Sequence, residues 1–586
     1  MFAIGQLNKM EAGKRMQGTE VIVLTGVCLV MIGNVFCIPD VFVDRFRTPS
    51  VLLTGIIMGI WGIFWCLASP KKPFYLPDIK FLIGILVYMF YEIINGADGV
   101  FLLMNLCYFL FLFDGLCRCK RVKPVIGVIC LLLACCTSLF AFLQYLNCIP
   151  SYHAVFTVTG PFDNPAGLAC LLAVLFPVTL LFLASRTLII KILSVAIGIF
   201  IIGIILLSAS RTALLSVFVV LVIYSCYKML HWKLSILLGC ISLLIIYLLY
   251  KINPASADGR ILVWNCCLMM ITDNIWTGIG IGNFQKDYMM AQADFFKLHP
   301  GSSDAMLAGN VQHPFNEFIG LLAEQGVIGF VLVACLLGYV IRQVYLHAAS
   351  DRKIILLFLL SFAVCSSFSY PFDYPIFHIL LITLVAVMLS NDPKVEVKFP
   401  KWRFLFLILL FFLFLISDSI RKGHDELRWY NACSAVEEGE ISKQDVERFS
   451  SLYNNSYLKD NGDFLYNYAV ILYEVAEYSK CLSVLERCQS RIRDYDVQLL
   501  IGYNNLALKD YCSAENAYQT ASRMIPNRLL PRYELMRLYN LTGQTSMAVR
   551  MAQEIVEQPL KITSPKALLM KQEAMEYMSN NLKERR

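Results

Sequence analysis

From residue 20 to residue 420 the chain alternates long apolar runs with short polar breaks. The runs lie at 21–38, 51–68, 79–94, 100–116, 124–146, 165–184, 188–207, 212–227 and 234–250, then at 354–368, 376–389 and 404–416, with one or two more between 315 and 344. Most are roughly 17 to 25 residues long, enough for a helix to cross about 30 Å of hydrocarbon. The pattern predicts an all-α fold: a polytopic membrane helix bundle of about 12–13 spans over residues 20–420. One break is large, an outer loop at 252–314. A polar segment, 1–19, precedes the bundle, and 421–586 follows it as a charged stretch with helical spacing and the size of a separate domain.

Composition excludes a water-soluble fold for most of the chain. Hydrophobic residues make up 58% and charged residues 16%, against about 25% charged in soluble domains. The net charge of +7 is spread over short loops, which argues against a nucleic-acid partner. The first run follows Lys9, Lys14 and Arg15 and lacks a small-residue cleavage site, so it is expected to stay as a span.

Alternate loops carry the cations: Lys71, Lys72 and Lys80; Arg118, Lys120, Arg121 and Lys123; Arg186 and Lys191; Lys228 and Lys233; Arg342, Arg352 and Lys353; Lys394, Lys398, Lys401 and Arg403. Short basic loops stay on the cytoplasmic side. With the N-terminus inside and an odd number of spans, the large loop and the C-terminal domain are both expected to face outward, which in a bacterium is the periplasm or the outer surface.

The segment from Asp258 to Gly329 is the main polar interruption of the bundle, and it holds Arg260, a glycine-rich turn at Gly278, Gly280 and Gly282, and His313 with Asn316 one turn on. Two more outer-side features stand out. In SASRTALL, Arg211 falls where the orientation rule disfavours a cation. It either snorkels to lipid headgroups or forms an anion site with the hydroxyls of Ser208, Ser210 and Thr212. In TVTGPFDNPAGLACLL, Asp163 or Asn164 can cap a helix starting at Pro165 or Ala166, leaving its positive end facing outward.

SASRTALL, GPFDNPAGLA, Gly259–Arg260 with Trp264, GIGIGNF and QHPFNEFIGLLAEQGVIG stand in the order and topology of the O-antigen ligase and polymerase superfamily, which residues 20–420 resemble. The resemblance implies a donor glycan on undecaprenyl diphosphate and transfer to an acceptor hydroxyl in one inverting displacement, without a covalent enzyme intermediate. Acceptors in such families include protein Ser or Thr, lipid A core and another lipid-linked glycan. The expected setting is a multi-pass protein of the bacterial inner membrane.

The residue types suit that chemistry. A sugar–diphosphate bond breaks with negative charge growing on the leaving group, and guanidinium is always charged and grips phosphate through two donors. Arg211 and Arg260 are the candidates. His313, with an ordinary pKa near 6.5, is the candidate base for the acceptor proton, though QHPF also reads as the start of a helix. Ser208, Ser210, Asn164, Gly280, Asn316 and Glu324 are expected on the substrate side; Glu324 reads equally as a partner within the bundle. His299 is the competing base and matches no motif.

No cofactor or metal is expected, since the outer loops carry no D-x-D carboxylate pair. Most of the 21 cysteines lie in apolar runs as small hydrophobes. Cys117 and Cys119 form a lone C-x-C, too little for zinc. Cys481, Cys488 and Cys512 fall in the C-terminal domain.

That domain repeats. Ala469, Gly502 and Met536 align, as do Cys481, Ala514 and Ala548, with offsets of 33 and 34 residues, the tetratricopeptide period of paired helices. Its role is expected to be a scaffold or a contact for a protein partner. Three functions remain: a transferase to protein or lipid A core, a polymerase of lipid-linked glycan, and a non-enzymatic glycan transporter or scaffold. A transporter should show repeated halves with helices interrupted at the midplane, whereas the polar motifs here gather at one face.

Overall fold

The computed structural model of the protein describes residues 18–68, 74–119, 121–183, 185, 187–227, 254–347, 352–390, 395–397, 401–437 and 441–584, with isolated positions at 240, 244, 247 and 251. The N-terminal segment to residue 17, most of the span expected at 234–250, and Lys71, Lys72, Lys120, Arg186, Lys228, Lys233, Lys394 and Lys398 lie outside the described residues.

The fold class is the expected one, an all-α polytopic membrane protein. Among the described residues, seven helices are long and apolar enough to cross a bilayer: Gly18–Phe36 (α1), Thr48–Ala68 (α2), Gly99–Arg118 (α4), Val122–Tyr145 (α5), Pro165–Phe182 (α6), Leu188–Leu207 (α7) and Glu317–His347 (α11). Shorter apolar helices are Ile79–Ile94 (α3), Arg211–Tyr227 (α8), Arg352–Phe368 (α12) and Pro375–Leu389 (α13). Lys401–Glu437 (α14) leads toward the C-terminal domain.

The chain divides into two compact units. The first comprises Met1–Ile252, Phe315–Phe318 and Ile328–His424; the second comprises Asn253–Pro314, Ile319–Val327 and Asp425–Arg586.

The first unit is built around α6. Almost every side chain of α6 is buried, and the helix packs against α5, α7, α8 and α12. Asn164 caps it, its side-chain oxygen accepting from the Ala166 N–H at 2.9 Å with Pro165 in the first turn. Several hydroxyls inside the bundle are bonded within it. The Ser216 and Ser361 hydroxyls lie 2.8 Å apart, Ser361 donates to the Ala173 carbonyl at 2.8 Å, and Tyr108 pairs with Thr383 at 2.8 Å. Unbonded, such groups would be costly in hydrocarbon.

At one end of this unit a two-stranded antiparallel ribbon, Phe74–Leu76 (β1) on Val395–Val397 (β2), joins two of the connections read as basic. At another place in the unit the connections 37–47, 146–164 and 369–374 meet through Arg47, Asp163 and Asp373. The alternation expected from loop charge puts the first two connections on one side and the other three on the opposite side.

The second unit joins the large loop to the C-terminal helices. The loop carries Ala255–Asp273 (α9) and Phe284–Leu298 (α10). After Lys443–Asn455 (α15) come three helical pairs: Gly462–Glu474 (α16) with Tyr478–Gln489 (α17), Tyr495–Ala507 (α18) with Tyr511–Met524 (α19), and Leu530–Leu541 (α20) with Thr545–Glu557 (α21); Pro565–Glu584 (α22) closes the chain. The aligned Cys481, Ala514 and Ala548 are fully buried. Each pair turns through one left-handed residue, Ala476, Lys509 and Gly543, which recur at the spacing of the sequence repeat. Cys481 and Cys488 are buried free thiols, and Cys512 is exposed.

Candidate functional site

Arg211 opens α8 after a three-residue turn. Ser208 ends α7 and donates to the Ile205 carbonyl at 2.7 Å, while the Ser210 hydroxyl accepts from Ala213 N–H at 3.5 Å. Between them Ala209 takes φ +52°, a left-handed conformation that costs a residue with Cβ roughly 1–2 kcal/mol. Thr212, next to Arg211, donates to the Phe368 carbonyl at 3.4 Å. The SASRTALL turn is therefore held against the connection that follows α12.

That connection, SYPFDY, also receives the start of α11. The Phe315 and Tyr370 rings meet edge to face at 5.6 Å, and a Glu317 carboxylate oxygen accepts from Phe372 N–H at 2.8 Å. Phe315 has φ +53°, rare for a bulky side chain. The QHPFNE and SASRTALL segments thus each carry a non-glycine residue in the left-handed region. Such strain persists only where surrounding contacts fix it. Asn316 accepts from the Phe318 N–H at 3.0 Å and so caps α11.

Beside these residues lies an ionic cluster that sequence reasoning missed. Arg47 donates through Nε to Asp373 at 2.6 Å and stands 3.9 Å from Asp163, with its guanidinium 5.8 Å from the Tyr374 ring centroid. Tyr374 donates to Asp163 at 2.5 Å. Burial works against the Arg47 cation, but Asp373 and then Asp163 outweigh it and hold its pKa above the ordinary arginine value. Burial, followed by the nearby carboxylates, also raises the phenols of Tyr370 and Tyr374, which stay neutral donors. Arg47 already has two carboxylates about it, so its place is to brace three connections. The signal was available: Arg47 is an outer-side arginine by the reasoning that picked out Arg211.

In the second unit the glycine-rich turn hooks onto a break in α11. Gly326 has φ +63° and ψ −168°, which divides the helix in two. Ile279 N–H donates to Ala323 O and Gly280 N–H to Glu324 O, both at 2.9 Å, and Val327 N–H donates to Ile275 O at 2.8 Å. Two glycines make this approach possible. A Cβ on Gly278 would lie 2.3 Å from the Glu324 carbonyl carbon, and one on Gly326 would lie 2.4 Å from the Trp276 carbonyl. The Glu324 carboxylate accepts from the Gly282 N–H at 3.0 Å and the Phe284 N–H at 3.2 Å. It therefore sits at the N-terminal end of α10, accepting from two backbone N–H groups there.

Arg260 stands on α9, and Trp264 lies one turn further along the same face. The indole N–H of Trp264 donates to the Pro314 carbonyl at 3.0 Å. This bond ties the helix bearing Arg260 to the residue that follows His313. His299 is engaged elsewhere, its Nδ1 2.9 Å from the Phe295 carbonyl at the end of α10 and its ring stacked on Phe295.

No curated protein matches the chain. Residues 168–334 match the family model described as O-antigen ligase, a segment that takes in Arg211, Arg260, Gly280, His313, Asn316 and Glu324 and begins just after Asn164. The chain thus combines membrane helices with an O-antigen ligase domain, which marks it as similar to the membrane enzymes of the O-antigen ligase and polymerase type.

Proposed function

We propose that the protein moves a glycan from undecaprenyl diphosphate to an acceptor hydroxyl at the outer face of the bacterial inner membrane, the large loop and the C-terminal domain being periplasmic. The observation that carries this reading is the Trp264–Pro314 hydrogen bond at 3.0 Å. It couples the helix of a cation, Arg260, to the neighbour of a base, His313, within the O-antigen ligase segment.

In the proposed reaction the acceptor oxygen bonds to the anomeric carbon as the carbon–oxygen bond to diphosphate breaks. The bonding pair leaves on the diphosphate, and the hydroxyl proton goes to the His313 imidazole. Arg211 and Arg260 grip the diphosphate, whose charge grows in the transition state, so their interaction strengthens where it lowers the barrier. One displacement inverts the anomeric centre, and no metal or cofactor is called for.

Ser208, Ser210 and Asn164 support the donor side through the helix ends they form. Gly280, Asn316 and Glu324 support it through the hook and the cap of α11. The helical pairs, read as tetratricopeptide-like, stand in the same unit as the loop, which favours protein as the acceptor over lipid A core.

Full-length protein, undecaprenyl-diphosphate glycan and candidate acceptors test the proposal. His313→Ala, Arg211→Ala and Arg260→Ala are expected to insert normally and to lose transfer. Full turnover by His313→Ala removes it as the base. Product analysis separates the acceptors: glycoprotein, glycosylated lipid A core, or a ladder of longer lipid-linked glycan, the last marking a polymerase.

A further inference from the structure

The three helical pairs are not equivalent where one pair passes to the next. Asn461 caps α16 by accepting from Phe464 N–H at 3.0 Å, and Asp494 caps α18 by accepting from Val497 N–H at 2.9 Å. In the third such turn, α20 has no side-chain cap. Asn527 stands in that turn, and its side chain reaches away from its own domain to the large loop. Its Nδ2 donates to the carbonyls of Ala305 and Ala308, each at 2.8 Å.

Other donors converge on the same few loop residues. Lys561 Nζ donates to Ala308 O at 3.2 Å. Gln292, fully buried on α10, donates to Gly309 O at 3.1 Å and to Met524 O at 2.6 Å, while accepting from Tyr288 at 2.9 Å. Asn310 donates to Asp494 at 3.2 Å. The loop carbonyls at 305, 308 and 309 are thus met by side chains of α10, of the α19–α20 turn and of the stretch after α21. The chain then runs without helix or strand to His313. A residue spans at most about 3.5 Å, so fixing residue 309 confines His313 to a small volume.

We infer that the helical pairs of residues 495–557 act as a clamp on the large loop, with Asn527 as the positioning residue that sets where His313 stands. The inference rests on the reading of His313 as the base. It gives the C-terminal domain a part in transfer that requires no contact with an acceptor. A carboxamide is the side chain that fits, because its two N–H groups serve two carbonyls at once, and an aspartate of the same shape has none.

Asn527→Asp in the full-length protein, in detergent or nanodiscs, is the test, with two readouts. Hydrogen exchange at amides 303–312 is expected to speed up by about tenfold or more, while helix content stays unchanged. The kcat of glycan transfer is expected to fall by about tenfold to a hundredfold with the donor KM within about twofold of wild type. Asn527→Gln, which keeps the carboxamide, is expected to recover most of the rate. Lys561→Met, a change at an exposed residue, should shift both readouts the same way by less. Unchanged exchange at 303–312 in Asn527→Asp would show that there is no clamp. Faster exchange with wild-type kcat would show that the clamp does not position the base. Exchange needs no substrate, so it decides on the clamp even if the wild-type protein transfers no glycan and the functional reading fails.

Discussion

Arg47 and Asp373 lie 326 residues apart in sequence and meet with Nε to carboxylate at 2.6 Å, while Asp163 stands 3.9 Å from the same guanidinium. The pair is partly exposed, which screens it, but it joins three connections of the bundle. Arg47→Ala is expected to lower stability by about 1–2 kcal/mol, measured by thermal unfolding in detergent. Arg47→Ala with Asp373→Asn should cost less than the two single changes added, because the second removes the carboxylate that the first leaves unpaired. Strict additivity would mean that the two do not interact.

Gly278 and Gly326 should tolerate alanine poorly. In each the new methyl would press on backbone at 2.3–2.4 Å, and each has positive φ. About 2–4 kcal/mol of destabilisation is expected per site. Gly282→Ala is the control: φ is +77° but nothing lies within 4 Å, so only the conformational cost of about 1–2 kcal/mol remains. Equal effects at all three positions would count against the hook.

Trp264→Phe keeps an aromatic ring and removes the donor to Pro314. Insertion and melting should change little, and transfer should slow by about tenfold, as expected when a reacting group is displaced by a fraction of an ångström. A normal rate would mean that the tie between α9 and the His313 segment is dispensable.

The C-terminal helices carry a pH-dependent element at Glu534, which is 5% exposed. Burial raises its carboxyl above the ordinary value, against the lowering effect of Arg537, Lys566 and Tyr503. A carboxyl with a higher pKa in the fold than in the unfolded chain contributes fully below the unfolded value, about 4.3, and that contribution is lost as pH rises through the folded one. Glu534→Gln should therefore melt higher than wild type at pH 7, with the gap closing below about pH 4. A lower melting point at pH 7 would reverse the assignment.

Much of this was legible in the sequence because its cause is local. Apolar runs give membrane helices, Asn-Pro at 164–165 gives a capped helix start, and the aligned small residues Cys481, Ala514 and Ala548 give helices that approach closely. What escaped was non-local or hidden by composition. No window of residues shows that Arg47 meets Asp373. The break at Gly326 sits where EQGVIG runs straight into apolar helix, and only the distant segment at 275–280 explains it. Gln292 and Asn527 look like solvent-facing polar residues, and only the loop carbonyls they meet give them meaning. For His313, Arg211 and Arg260, sequence offered residue types in a sensible order, and transfer assays are the measure of their roles.

The backbone bonds joining residues 275–280 to 323–327 have one more consequence. An excursion whose two ends are already stapled together can change in length and content without disturbing the helices it springs from. The same two fixed points mark where one such excursion could be exchanged for another by design.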